Sequence, residues 1–177
     1  MIGTSVYMIV FRAVHIVSAV TWGGSVFLFV TGVQPAAAAI APAGAPFMAE
    51  LLGKRRIVDR LIGLGAMTVL GGLFLYWHDW QVYGGIGDFV GTAFGTSITV
   101  GALAAITALG FGIFGTRPLV ERFLVIGGQA AAAGGPTPEQ AAEMGALQGR
   151  IIVLARISLA LIMVAAFAMA TARYWSR

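Results

Sequence analysis

Hydrophobic residues along the chain form four long runs, at approximately residues 6–33, 56–78, 95–116 and 150–172. A helix needs about 20 predominantly apolar residues to cross the hydrocarbon core of a bilayer, and each run is close to that length. The pattern therefore predicts an all-α fold. We expect a single domain, residues 1–177, built as an integral membrane bundle of four transmembrane helices.

The connections between the runs contain residues that begin or end helices. The first connection, residues 34–53, opens with PAAAAIAPAGAP and is predicted to be irregular or partly helical. The Arg117-Pro118 pair is predicted to end or kink the third helix, because proline lacks an N–H donor and disfavours helix at the preceding residue. Thr137 is predicted to be an N-cap in a capping box with Gln140, at the start of a helix that continues into the fourth run.

Lysine and arginine lie mostly on one predicted side of the membrane. The basic residues in or beside the first and third connections are Lys54, Arg55, Arg56, Arg60, Arg117, Arg122 and Arg150. The opposite side has Arg12, Arg173 and Arg177. Because cytoplasmic loops are enriched in Lys and Arg, both termini are predicted to be outside, in the periplasm if the cell is bacterial.

Composition excludes several classes of function. The chain is 59% hydrophobic and 10% charged, which is outside the range of soluble proteins. It has no cysteine, so disulfides and thiolate metal sites are excluded. The basic residues flank apolar runs, so we expect no nucleic-acid partner. The sequence motifs of nucleotide-binding and hydrolytic enzymes are absent as well.

The first run also resembles a signal peptide in one respect, since residues 35–39 offer an A-x-A-like cleavage site. Residues 1–10 carry no positive charge, however, and the run is longer than the usual apolar region of a signal peptide. We therefore expect it to remain as a transmembrane helix.

The first run contains two polar residues that are costly to place in a membrane, Arg12 and His15. A charged group at that depth costs at least ~2.5 kcal/mol, so it normally faces a partner, a cavity or a cofactor. Residues three, four and seven apart share a helix face. One face therefore holds Met8, Arg12, His15, Ser18, Ala19 and Trp22.

The predicted topology brings both histidines, His15 and His78, into the outer half of the bundle, together with Met8, Met163 and Met169. Imidazole suits haem iron, copper and zinc, and thioether sulfur suits Cu(I) or an axial haem position. Both histidines also have ordinary alternatives: His15 can hydrogen-bond across the bundle, and His78 can be an interfacial anchor among aromatic residues.

Arg12 lies one helical turn outward from His15, where its guanidinium would suit a haem propionate. The alternatives are an ion pair with Asp79 or Asp88, or an extended side chain that reaches the membrane surface. The two histidines differ in depth by about 10 Å if the second helix stops near Trp77, and by less if that helix continues.

The segment AVHIVSAVTWGGSVFLFVTGVQP, residues 13–35, resembles helix 1 of small bacterial four-helix membrane proteins. These are the copper-resistance D (CopD)-like group and the related HemJ-type protoporphyrinogen oxidases. The HemJ-type resemblance implies that His15 binds haem b, and the CopD-like resemblance implies periplasmic copper handling. HemJ-type proteins also use a lysine within the membrane, whereas the sole lysine here, Lys54, borders a loop.

The leading hypothesis is a protein of the bacterial inner membrane that binds haem b, or alternatively copper, for redox or metal handling. His15 is the predicted ligand, His78 or Met8 a second one, and Arg12 and Trp22 complete the cofactor site. The competing hypothesis is a cofactor-free accessory subunit of a larger membrane redox complex, or a homo-oligomer in the lipid bilayer. It would pack through the small-residue pattern of the third helix, Gly101/Ala105 and Ala104/Ala108/Gly112.

Overall fold

The structure, a computed structural model, describes residues 2–175, with side chains from residue 6 onward. This part of the chain consists of helices joined by turns and contains no strand. The α-helices are α1 Ile2–Leu28, α2 Gln34–Ala39, α3 Gly44–Ala49, α4 Ile57–Val82, α5 Ile86–Val90, α6 Ala93–Gly110, α7 Arg117–Ala132 and α8 Pro138–Thr171. The π-helical segments are Phe29–Val33, Glu50–Lys54 and Phe111–Thr116, and a 3₁₀ turn covers Ala172–Tyr174.

Four continuous helical stretches are long and apolar enough to cross a membrane. They are Val6–Ala39, Ile57–Val82, Ala93–Ala132 and Pro138–Tyr174. These stretches confirm the prediction of an all-α bundle with four membrane-spanning helices. The chain is thus a multi-pass membrane protein by the length and composition of its helices.

The helices are longer than the apolar runs predicted. The third helix does not end at Arg117-Pro118, because the π-helical segment Phe111–Thr116 passes directly into α7, where Pro118 lies in the first turn. A proline in that position needs no N–H donor, so the helix continues to Ala132. The helix start at Thr137 is confirmed: its Oγ1 accepts from the Gln140 N–H (3.3 Å) and its own N–H donates to Gln140 Oε1 (3.0 Å).

The four spans run alternately up and down. In the antiparallel α1–α4 pair, the Tyr7 hydroxyl near the start of α1 donates to the Phe74 carbonyl oxygen in the second half of α4, at 3.3 Å. In the α6–α8 pair, the Ser97 hydroxyl donates to the Ala168 carbonyl oxygen at 2.8 Å. We call the end of the bundle that holds residues 6, 82–92 and 174 the terminal end. The opposite end, which holds the connections 40–56 and 133–137, is the loop end.

The most tightly packed part of the bundle lies between its middle and the loop end. There Trp22, Val26, Val30, Ala108 and Ile162 form one buried cluster. The small residues of α6 contribute to packing inside the chain: a Cβ at Gly101 would lie 2.8 Å from Met169 Cγ, and Ala108 is only 1% exposed. Small residues at these positions let the helices approach closely.

Ion pairs at the loop end connect segments outside the centre of the bundle. Asp59 pairs with Arg56 at 2.8 Å and with Arg117 at 3.2 Å, which joins the start of α4 to the start of α7. Glu50 pairs with Lys54 at 3.1 Å, and the hydrogen bond and charge from Lys54 hold the pKa of Glu50 below its ordinary value. These side chains are exposed or half-buried, so each pair contributes little to stability.

Candidate functional site

A cavity of about 380 Å³ lies between the four spans, in the half of the bundle nearest the terminal end. Its walls are mostly apolar, and residues from α1, α4, α6 and α8 all contribute. The polar and sulfur-bearing residues that line it are Arg12, His15, Thr68, Tyr76, Asp79, Met169 and Arg173. A mostly apolar cavity with a few polar groups is the usual form of a small-molecule or cofactor site.

His15 is half-buried, and its ring is fixed by a hydrogen bond across the helix pair. Its Nδ1 lies 2.8 Å from the carbonyl oxygen of Thr68. Because a carbonyl oxygen only accepts hydrogen bonds, Nδ1 is the donor in this pair, and in the neutral form of the ring the lone pair is at Nε2. Metal-bound histidines typically have this arrangement, with one ring N–H donated to a carbonyl or carboxylate and the other nitrogen free to ligate.

Two glycines of α4 make room for the histidine. A Cβ at Gly72 would lie 2.9 Å from His15 Cε1 and 3.0 Å from Nδ1, which is too close for real atoms. A Cβ at Gly71 would lie 3.4 Å from His15 Cβ. The imidazole therefore lies directly over a surface of α4 that has no side chain. Sequence analysis missed this role, although the adjacent pair Gly71-Gly72 in a helix otherwise rich in large residues was an available signal.

Two buried hydroxyl groups hold α1 and α4 together beside His15. Thr68 Oγ1 donates to Ser18 Oγ at 3.0 Å, and Ser18 Oγ lies 2.6 Å from the Val14 carbonyl oxygen. Ser18 is 3% exposed and Thr68 is 4% exposed. Satisfied buried polar groups specify one relative position of two helices, so this pair sets the register that brings His15 to Gly72.

Two arginines and one carboxylate lie toward the mouth of the cavity. Arg12 is one turn nearer the terminal end than His15, and Arg173 follows Met169 by one turn. Arg173 donates to the Tyr174 hydroxyl at 2.6 Å, and its guanidinium carbon lies 4.8 Å from the centre of that ring. Among the described residues, the lining contains one carboxylate, Asp79, together with these two guanidinium groups.

The ion pair that was one alternative for Arg12 is not formed among the described side chains. No oxygen of Asp79 or Asp88 lies within 4.0 Å of the Arg12 guanidinium, although Asp79 lines the same cavity. Asp79 Oδ1 instead lies 3.5 Å from Nδ1 of His78. Arg12 itself is exposed, so its side chain can reach either the cavity or the membrane surface.

The structure does not bring the two histidines together. The His78 ring is centred 6.4 Å from the Tyr7 ring, and Tyr7 precedes His15 by eight residues, a rise of about 12 Å along α1. His78 is absent from the cavity lining. Met8 is half-buried on α1 outside the cavity, and Trp22 belongs to the buried cluster beneath it. Of the residues predicted for the site, His15 and Arg12 therefore share one cavity.

The donor set of the cavity is better suited to a cofactor that carries its own metal than to a bare metal ion. Within residues 2–175, no group of three or more His, Cys, Asp or Glu side chains converges as a metal site would require. A bare copper or zinc ion usually needs three or four protein ligands. A haem needs only one or two axial ligands and cations for its propionates.

No protein-family model, curated protein or solved structure matches this chain. The resemblance of residues 13–35 to the CopD-like and HemJ-type proteins therefore stays a prediction that rests on those residues. Lys54, the sole lysine, lies at the loop end with its side chain 83% exposed, away from the cavity.

Proposed function

We propose that this chain is a haem b-binding protein of the bacterial inner membrane with a role in electron transfer. The single observation that carries the proposal is the state of His15. Its Nδ1 is 2.8 Å from the Thr68 carbonyl oxygen, its Nε2 has no hydrogen-bond partner among the described residues, and the side chain lines a cavity between four membrane helices. The bacterial inner membrane is proposed from the resemblance of helix 1 alone.

The residues present fit a haem in three respects. The cavity volume of about 380 Å³ is within the range of about 300–1,000 Å³ that is usual for small-molecule and cofactor sites. Its walls are mostly apolar, as a porphyrin ring requires. Arg12 and Arg173 can bind the two propionates, because a planar guanidinium forms paired hydrogen bonds with a carboxylate.

A haem bound here would supply one-electron redox chemistry. The chain's own residues would bind it, orient it and exclude water. His15 would ligate it through Nε2, and the hydrogen bond from Nδ1 to Thr68 would fix the orientation of the ring.

Copper is the less favoured cofactor because the predicted copper ligands are scattered. His78 and Met8 are outside the lining, which leaves His15 and Met169 as the imidazole and thioether donors of the cavity. Two protein donors are fewer than a stable copper site normally has. Copper handling remains an outcome that the metal content of the purified protein would reveal.

The accessory-subunit hypothesis stays the alternative proposal. Its docking surface was the small-residue pattern of the third helix, but Gly101, Ala104, Ala105 and Ala108 are buried within the chain's own bundle. A redox partner in the same membrane is still expected, since an electron carrier needs a donor and an acceptor.

The proposal is tested by exchanging each histidine in turn. We expect His15→Ala to lose haem, because it removes the imidazole in the cavity, and His78→Ala to retain it. Haem per protein is measured after purification from cells supplied with a haem precursor, and helix content by circular dichroism. Equal haem in His15→Ala and His78→Ala, both folded, would contradict the proposal.

A further inference from the structure

We propose that Met169 supplies the second axial ligand, opposite His15. This inference rests on the proposed function and goes beyond it, because it specifies the coordination state of the iron. It also selects one redox role, since a six-coordinate iron has no open position for a substrate or for oxygen.

The register between α1 and α8 brings the two residues to the same depth. A Cβ at Gly23 would lie 3.2 Å from Cγ2 of Ile162, so these two residues are level. His15 is eight residues from Gly23 and Met169 is seven residues from Ile162, which correspond to rises of about 12 Å and 10.5 Å. Because the helices are antiparallel, both displacements point toward the terminal end.

Both side chains line the same cavity, from different helices. The Met169 side chain lies against Gly101 of α6: a Cβ on that glycine would be 2.8 Å from Met169 Cγ and 3.2 Å from its Cε. The missing side chain at Gly101 therefore leaves the space that the thioether occupies. Thioether sulfur is an established axial ligand for haem iron together with histidine.

The positions of the two arginines support the same assignment. Arg12 lies one turn toward the mouth from His15, and Arg173 lies one turn toward the mouth from Met169. On α1 and at the end of α8 alike, the proposed ligand thus lies deeper in the cavity and an arginine lies nearer its mouth. A haem has this polarity too, with iron at its centre and two propionates on one edge.

The proposal predicts a low-spin haem with a raised reduction potential. Methionine opposite histidine stabilises the ferrous state and raises the potential relative to ligation by nitrogen alone. With both axial positions filled by the protein, carbon monoxide should bind to the reduced protein slowly or not at all.

The test compares Met169→Leu with Met163→Leu. Both residues are on α8, but Met163 is 43% exposed and does not line this cavity, so it is a matched control. Leucine has nearly the volume of methionine, so folding should be retained in both variants. The readouts are the optical spectrum, the midpoint potential and carbon monoxide binding.

We expect the wild type and Met163→Leu to be low-spin, with the same potential and little carbon monoxide binding. Met169→Leu should become high-spin, bind carbon monoxide and have a lower potential. As a measurement that needs no variant, the ferric wild type should give the near-infrared charge-transfer band of thioether ligation.

If haem binds through His15 but that band is missing and Met169→Leu behaves like Met163→Leu, the ligand assignment is wrong and the proposed function stands. If the wild type takes up no haem, both fail.

Discussion

The environment of His15 is produced by neighbours that have no unusual chemistry of their own. A backbone carbonyl of Thr68 fixes its tautomer, and Gly72 gives its ring a surface to lie on. The cost of placing a titratable group in a membrane is thereby partly offset by one satisfied hydrogen bond. The site therefore depends on the absence of a side chain at Gly72 of α4 as much as on His15 of α1.

Replacing Gly72 on α4 should therefore displace the ring of His15 on α1. In Gly72→Ala the new Cβ would meet Cε1 and Nδ1 of His15 at 2.9 Å and 3.0 Å, so the ring must move or α1 must shift. We expect the variant to retain less haem than the wild type and to show a shifted Soret band.

The control for this variant is Gly63→Ala on the same helix, where a Cβ would meet no atom within 4 Å. Both changes give the same gain in helix propensity, about 1 kcal/mol, so a difference between them reports the contact with His15. Equal haem content in Gly72→Ala and Gly63→Ala would show that the position of the His15 ring does not affect haem binding.

At the residue scale, the sequence was sufficient to identify the polar members of α1. His15 and Arg12 could be identified because a polar side chain in a membrane helix is costly and normally faces a partner, a cavity or a cofactor. That Thr68, Gly72 and Arg173 line one cavity with His15 could not be predicted, because this depends on the register between helices. Register is set by the packing of helix surfaces, and a single sequence does not show which surfaces contact each other.

At the element scale, the third span shows how a proline can be accommodated. A π-helical segment, Phe111–Thr116, immediately precedes α7, and Pro118 falls where a new hydrogen-bonding pattern begins. The helix therefore does not end at Arg117-Pro118 but continues to Ala132. The local preference of proline was known from the sequence, but the preceding π-helical turn was not.

The packing of α6 leads to a prediction about stability. Ala108 is 1% exposed in the cluster with Trp22 and Ile162. Ala108→Leu should overpack this cluster and cost about 1–3 kcal/mol, lowering the thermal midpoint in detergent. Ala166→Leu on the exposed face of α8 is the control and should have little effect. An unchanged midpoint in Ala108→Leu would contradict the packing described here.

At the scale of the whole molecule, the bundle is packed differently at its two ends. The cluster around Trp22 fills the space between the helices toward the loop end, whereas the cavity around His15 separates them toward the terminal end. Four spans and their alternation were predictable from the apolar runs. The cavity was not, because its existence depends on how the four helices pack against one another.

The positions of the two histidines depend on helix register in the same way. Their common half of the bundle follows from chain direction alone, which the sequence contains. Their separation follows from the register of α1 against α4, which sets His15 beside Gly72 and His78 beside Tyr7. His78 was predicted only as a possible second ligand, at a different depth from His15, and the two side chains do not line the same cavity.

The orientation of the bundle is predicted from its basic residues, with the terminal end outside. Because the chain has no cysteine, single-cysteine variants can test it without background. Gln81→Cys at the terminal end should react with a membrane-impermeant maleimide in intact cells. Ala133→Cys at the loop end should react only after the cells are permeabilised. The reverse pattern would invert the topology and turn the cavity toward the cytoplasm.

The central claim, that the cavity binds haem b, is tested most directly by the optical spectrum of the purified wild-type protein. The protein is produced with haem precursor and copper both supplied, and is recorded oxidised and then reduced, with metal analysis of the same sample. We predict a Soret band and a sharp reduced α-band, with iron in one-to-one ratio to protein. A featureless spectrum from a folded helical sample, or stoichiometric copper without haem, would contradict the account.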